Sequence, residues 1–153
     1  MRSNPEREAH RPRRASVRRS WAAQMIVDTS AIIAVLFGES DAQIYAGRIA
    51  QAESCRISAA TFVEVAIVVE AQTKSSGSRQ LDAFMRRAGM TIEPVTEEHA
   101  HLARQAFTDY GSGRHPAALN YGDCFSYALA KATGEPLLFK GKDFAKTDLV
   151  AAR

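Results

Sequence analysis

The chain is short of the features that most quickly assign a sequence. It has two cysteines in 153 residues, Cys55 and Cys124. They stand in no CxxC or Cys/His spacing, which excludes a zinc finger and a disulfide-stapled scaffold. The longest uninterrupted apolar run, Ala31 to Phe37, is seven residues, far below the roughly 20 that a membrane-crossing helix needs. No GxGxxG or phosphate loop follows the first strand-like stretch, so a nucleotide-binding fingerprint is lacking. There is no internal repeat. What remains is a length suited to one domain, able to bury roughly two-thirds of its unfolded surface without staples.

The formal net charge of +3 is unevenly spread. Residues 1–24 hold seven arginines against Glu6 and Glu8, a net +5. From Met25 onward 13 basic and 15 acidic residues remain, a net −2. The basic character therefore belongs to the amino-terminal segment and the body is slightly acidic. Rich in Arg, Ser and Pro and nearly free of apolar residues before Trp21, residues 1–24 read as a disordered basic extension. A nucleic-acid-binding arm is one account of it. Arg18-Arg19-Ser20-Trp21 faintly resembles a twin-arginine leader, but Asp28 interrupts the apolar stretch that follows and no small-x-small cleavage site comes promptly. An upstream translation start, with the working protein beginning at Met25, is the account the pattern favours. The domain is expected over residues 25–153.

Met25–Asp28 reads as a short buried strand. Helices are expected over Thr29–Phe37, from an N-cap at Ser40-Asp41 to about Ala52, over Ala59–Thr73, Arg79–Ala88, from the cap-and-acid start Thr96-Glu97-Glu98-His99 to Tyr110, and over Tyr121–Thr133. Strands are expected at Cys55–Ser58, Met90–Val95 and Leu137–Phe139, with the end, Thr147–Arg153, a short strand or tail. Ala59–Thr73 is apolar on nearly every face and should be buried. Gly111–Asn120 is the longest structureless stretch, the kind of loop that is often functional. Strands alternating with helices imply an α/β fold with a parallel sheet covered on both faces.

Such a sheet places its ligand site at the carboxyl ends of its strands. Asp28 closes the first strand and can also cap the helix after it. Glu64 interrupts a nearly apolar helix, where an unpaired buried carboxylate is costly, unless it faces outward or pairs with an arginine. Asp123 lies in the first turn of a helix, where the dipole favours an acid, and Gly122 beside it lets something approach closely. Asp143 follows the last strand, with Asp148 a nearby competitor. Four acids converging on one edge cannot all stay ionised without a cation, and oxygen-only donors select Mg²⁺ or Mn²⁺, whose usual work is phosphoryl chemistry.

Met25-Ile26-Val27-Asp28-Thr29-Ser30-Ala31 resembles the opening of the PIN domain. With Asn120-Tyr121-Gly122-Asp123-Cys124-Phe125-Ser126-Tyr127-Ala128-Leu129-Ala130 and Pro136-Leu137-Leu138-Phe139-Lys140-Gly141, the resemblance is to the VapC toxins of type II toxin–antitoxin systems, over Met25 to about Val150. It implies a PIN-like, Rossmann-type three-layer α/β/α fold with a central, mostly parallel sheet of four to five strands. It implies a Mg²⁺-dependent ribonuclease, Mn²⁺ able to substitute, with Asp28 and Asp123 as metal ligands and Glu64 and Asp143 completing the catalytic acids. Many relatives carry the fourth acid in a Thr-x-Asp setting. Phe139-Lys140-Gly141 stands there instead, and the role passes to Asp143. The implied partners are RNA, a VapB-type antitoxin and a second copy of the chain, as a homodimer and as a heterotetramer or larger with antitoxin, in the cytoplasm.

Around these acids, Thr29 and Ser30 could hold Asp28 in place or bond a ligand. Arg114, His115 and Lys140 could meet RNA phosphates, as could Lys142 and Lys146, although solvated faces explain them too and nothing marks His115 as a general base. Tyr121 and Phe125 could stack on a base, though helix core is their default, and Cys124 reads as a small buried hydrophobe. Two other functions compete. A Mg²⁺-dependent phosphatase of haloacid-dehalogenase type wants a second Asp two residues after the first, where this chain has Ser30. A catalytically silent PIN interaction module would have lost Asp28, Glu64 or Asp123, and all three are present.

Overall fold

The computed structural model describes residues 24–152; the expectations for residues 1–23 of the basic segment lie outside these residues, while Gln24, expected in that segment, opens the first strand and pairs with Ser54. Strand β1 (Gln24–Val27) leads into helix α1 (Thr29–Leu36) and then α2 (Ala42–Gln51). Strand β2 (Ser54–Ser58) is followed by α3 (Ala59–Thr73) and α4 (Gly77–Ala88), and strand β3 (Thr91–Glu93) by α5 (Glu97–Tyr110) and α6 (Tyr121–Thr133). The short strand β4 (Leu137–Leu138) and a 3-10 turn (Phe144–Lys146) close the chain.

The sheet runs β3-β2-β1-β4, and every pairing is parallel. β1, first in the chain, is therefore central, and its carboxyl end lies between β2 and β4. Alternation along β1 splits the core into two layers. Met25 and Val27 face one side, with Cys55, Ile57, Val65, Val69 and Leu81, under α1 to α4. Ile26 faces the other, with Leu129, Leu137 and Phe144, under α5 and α6. Because both sheet faces are covered, β1 reads as a continuous apolar run rather than an alternating one. The expected three-layer α/β/α architecture is what the chain adopts.

Caps fix several helix ends where the sequence puts them. Thr96 accepts from the His99 backbone N–H at 3.1 Å, and Gly134 ends α6 in the left-handed region at φ 69°, a conformation that favours glycine. Three expectations are corrected. The strands at 90–95 and 137–139 shorten to Thr91–Glu93 and Leu137–Leu138, since a strand extends only as far as its partner pairs with it. Helix α3 is not buried all round, for Val63 and Ile67 are 53% and 65% exposed. The 111–119 loop is not structureless: Gly111 bridges to Leu119, and Ala117 and Leu119 are wholly buried.

Candidate active site

Asp28 sits at the exit of β1, and its backbone N–H donates to the Leu138 carbonyl of β4 at 2.9 Å. Its side chain is 4% exposed and held from three directions. Oδ2 accepts the Ser30 backbone N–H at 3.0 Å and the Ser30 hydroxyl at 2.7 Å, so Asp28 is the N-cap of α1 as well as a site carboxylate. Oδ1 accepts the Ser126 hydroxyl of α6 at 2.6 Å. With its one proton committed to Asp28, Ser126 is the acceptor for Thr61 of α3, 3.2 Å away. Ser30 in turn accepts the Lys140 backbone N–H at 2.9 Å. A buried carboxylate bonded by several donors is held as an acceptor of fixed orientation. The elements that orient it are α1, α3, α6 and the segment after β4.

Asp123 is the third residue of α6. Its Oδ2 accepts the Asn120 backbone N–H at 2.9 Å while Asn120 Oδ1 accepts its own N–H at 2.9 Å, a reciprocal cap. Its carboxyl is pushed up to about 6, first by burial and then, against the lowering effect of the Asn120 N–H, by the charges of Asp28, Glu64 and Asp143. Asp28, Glu64 and Asp143 are thus near enough to Asp123 for their charges to act on its carboxyl. Glu64, half-buried on α3, brings its carboxylate against Gly122 of α6. Asp143 is exposed at the start of the 3-10 turn. None of the ion pairs among the described residues takes up Asp28, Glu64, Asp123 or Asp143.

Asp148 is otherwise engaged. It accepts the Tyr127 hydroxyl at 2.7 Å and pairs with Lys131; burial alone would raise its carboxyl, but these two partners hold it below the ordinary value. The Lys140 ammonium is paired with Glu39 and, at 2.9 Å, with Asp41. Its backbone, through Ser30, is what reaches the site. The Arg114 guanidinium lies 5.7 Å from the centre of the Phe107 ring, on the loop that leads into Asn120. The His115 Nδ1 accepts the Ala117 N–H at 3.0 Å, a turn-holding role. Tyr121, expected as helix core, is 79% exposed and packs edge-on against Phe125, ring centres 5.0 Å apart.

The sequence reading missed Ser126 and Thr61. Their signal was present: each is a hydroxyl in an otherwise apolar helical run, and a buried hydroxyl needs a partner.

A divalent cation suits this donor set. It is all oxygen, and its carboxylates lack cationic partners. Thr29 Oγ1, next to Asp28, is the one buried side-chain polar atom among the described residues without a hydrogen bond. As the side chains stand, no three Asp, Glu, His or Cys of the described residues are close enough to cage an ion.

The family model for the PIN domain matches residues 25–150. The chain is 52% identical over 129 residues to ribonuclease VapC28 of Mycobacterium tuberculosis, covering 84% of this chain and 97% of that one. It is 47% identical over 127 residues to a ribonuclease VapC of Mycolicibacterium smegmatis, covering 83% and 98%. Among solved structures, VapC20 of M. tuberculosis, described as a sarcin-ricin-loop-cleaving toxin, aligns with a TM-score of 0.70 at 17% identity, over 84% of this chain and 98% of that one. VapBC2 of Rickettsia felis, bound to a promoter DNA fragment, aligns at 0.65 and 15% identity, over 84% and 96%. At those identities the structures speak for the fold, which is the one described above, while the sequence matches speak for the branch. The chain belongs to the PIN-domain family and, within it, to the VapC ribonucleases.

Proposed function

We propose that this chain is the toxin of a type II toxin–antitoxin module, a cytoplasmic endoribonuclease that cuts RNA phosphodiester bonds with Mg²⁺ and is restrained by a cognate antitoxin. The observation that carries the reading is that the charges of Asp28, Glu64 and Asp143 bear on Asp123, none of the four standing in an ion pair among the described residues, with Asp28 clamped by Ser30 and Ser126. Asp28 and Asp123 would hold the cation, with Glu64 and Asp143 beside them. When bound, Mg²⁺ supplies activation of water and charge stabilisation at the leaving oxygen.

The chain's own residues do the rest. Ser30 and Ser126 fix both oxygens of Asp28, so it presents the same geometry in every turnover. The Asn120 cap commits one oxygen of Asp123 and would leave the other for the cation. An acidic body is a poor match for naked RNA, so phosphates would be drawn in by local bases, of which Arg114 and Lys142 remain outside the ion pairs of the described residues, and by a cation held at Asp28 and Asp123.

Two of the similar solved structures are toxin–antitoxin assemblies, one from Klebsiella pneumoniae and one from R. felis, which supports an antitoxin partner here. A groove of about 190 Å³ between α1, α2 and α4, lined by Val35, Ala46, Ile49 and Phe84, suits an apolar helix. An arginine beyond that helix would fork onto the site's carboxylates. The homodimer needs an apolar face, and α3 presents Val63 and Ile67. The test is a Mg²⁺ titration with an RNA substrate and with a generic phosphomonoester. Saturable, EDTA-sensitive cleavage of RNA alone is expected. Phosphomonoester hydrolysis in its place would favour the phosphatase, and inertness toward both the silent module.

A further inference from the structure

Gly122 stands where a glycine has no local reason to be. It lies in the first turn of α6, its backbone is not left-handed, and a helix disfavours glycine more than any residue but proline. The reason is across the interface with α3. A Cβ at position 122 would fall on Oε2 of Glu64, 2.5 Å from its Cδ and 3.0 Å from its Oε1. All three nearest atoms belong to the Glu64 carboxylate and none to backbone. The space a side chain would need is filled by one functional group, and that group is one of the four site acids.

We propose that Gly122 is a positioning residue for Glu64: the missing Cβ is the seat of its carboxylate, and it fixes how close α3 brings that acid to Asp123. The structural part of this stands on geometry alone; only its catalytic consequence rests on the metal-dependent nuclease reading. Glu64 reaches the seat from the neighbouring helix on a flexible stem. An alanine at 122 therefore evicts the carboxylate and leaves the backbone where it is. The hydroxyl clamp on Asp28 and the Asn120 cap on Asp123 involve neither Gly122 nor Glu64, so two of the acids keep their places while the third is displaced.

The experiment is a two-by-two set: the natural chain, Gly122→Ala, Glu64→Ala and the double variant, each measured for Mn²⁺ binding and for the backbone amide shift of Asp123 in metal-free buffer. Gly122→Ala is expected to weaken Mn²⁺ binding about tenfold, in the range seen when groups that orient ligands are lost, and adding Glu64→Ala to it should cost little more. In metal-free buffer Glu64→Ala should move the Asp123 amide in the natural background and leave it nearly still in the Gly122→Ala background. Equal Mn²⁺ binding by Gly122→Ala and the natural chain, losses that multiply, or equal amide shifts in both backgrounds would overturn the proposal. If the natural chain binds no Mn²⁺, the metal reading fails and the amide shifts still decide the seat. Should Gly122→Ala fail to fold, the double variant decides: recovery of the fold identifies the carboxylate as the obstacle, and continued unfolding shows that the helix itself requires glycine and contradicts the seat.

Discussion

At the scale of single residues, two substitutions separate holding a carboxylate from being one. Ser126→Ala removes the donor to Asp28 Oδ1 in a place with no access to water, as Ser126 is wholly buried. A buried hydrogen bond to a charged group contributes about 1.5–3 kcal/mol, so thermal or urea unfolding should show a loss of that size. RNA cleavage should fall about 10- to 100-fold, as for lost outer partners of a metal ligand. Asp123→Asn behaves oppositely. Between the ordinary carboxyl value of 3.8 and about 6 the folded chain binds a proton at Asp123 that the unfolded chain has released. More protons on the native state mean that stability falls as pH rises through that window, then levels off above it. Asparagine can still accept the Asn120 N–H, so the cap survives. In metal-free buffer at pH 7 the variant should be the more stable by on the order of 1 kcal/mol, after allowance for solvent screening, and its pH–stability curve should be flatter between pH 4 and pH 6. A curve that keeps the natural slope would show that the strain lies elsewhere.

At the scale of elements, legibility followed the strength of local signals. The bounds of α3 and α6 were readable, α6 because Asn120 and Gly134 bracket it with capping chemistry and α3 from its long apolar run. Strand lengths were not readable: β3 pairs over three residues and β4 over two, and the limit lies in the neighbour rather than in the strand. The α3 surface was misread for a related reason. Apolar content says that a helix has something to cover, and only the packed structure shows that Val63 and Ile67, one turn apart, are left outside. If they form the face of the homodimer, Val63→Lys with Ile67→Lys should halve the mass seen by light scattering while leaving the melting temperature of a single copy nearly unchanged, since exposed substitutions typically cost within about 0.5 kcal/mol. A dimer that persists at the same concentration would move its interface to another surface. Glu64 was legible because it broke an apolar helical pattern, and Asp28, Asp123 and Asp143 from their places at strand ends and a helix start; Ser126 and Thr61 broke a pattern as well, more quietly, since a hydroxyl in a helix is common.

At the scale of the whole molecule, Asp28, Glu64, Asp123 and Asp143 span 116 positions of the sequence, and the parallel order β3-β2-β1-β4 sets Asp28 at the exit of the central strand. The charges of Asp28, Glu64 and Asp143 bear on Asp123. On the proposed function a divalent cation would relieve this like-charge conflict. The most direct measurement of this account is the rate of cleavage of an RNA substrate by the natural chain and by Asp28→Asn and Asp123→Asn, over a range of Mg²⁺ and with EDTA. The account predicts saturable dependence on Mg²⁺ for the natural chain, loss of cleavage in EDTA, and loss of at least about two orders of magnitude, or some 3 kcal/mol of barrier, in either variant. Cleavage at the natural rate by either variant, or undiminished in EDTA, would contradict it.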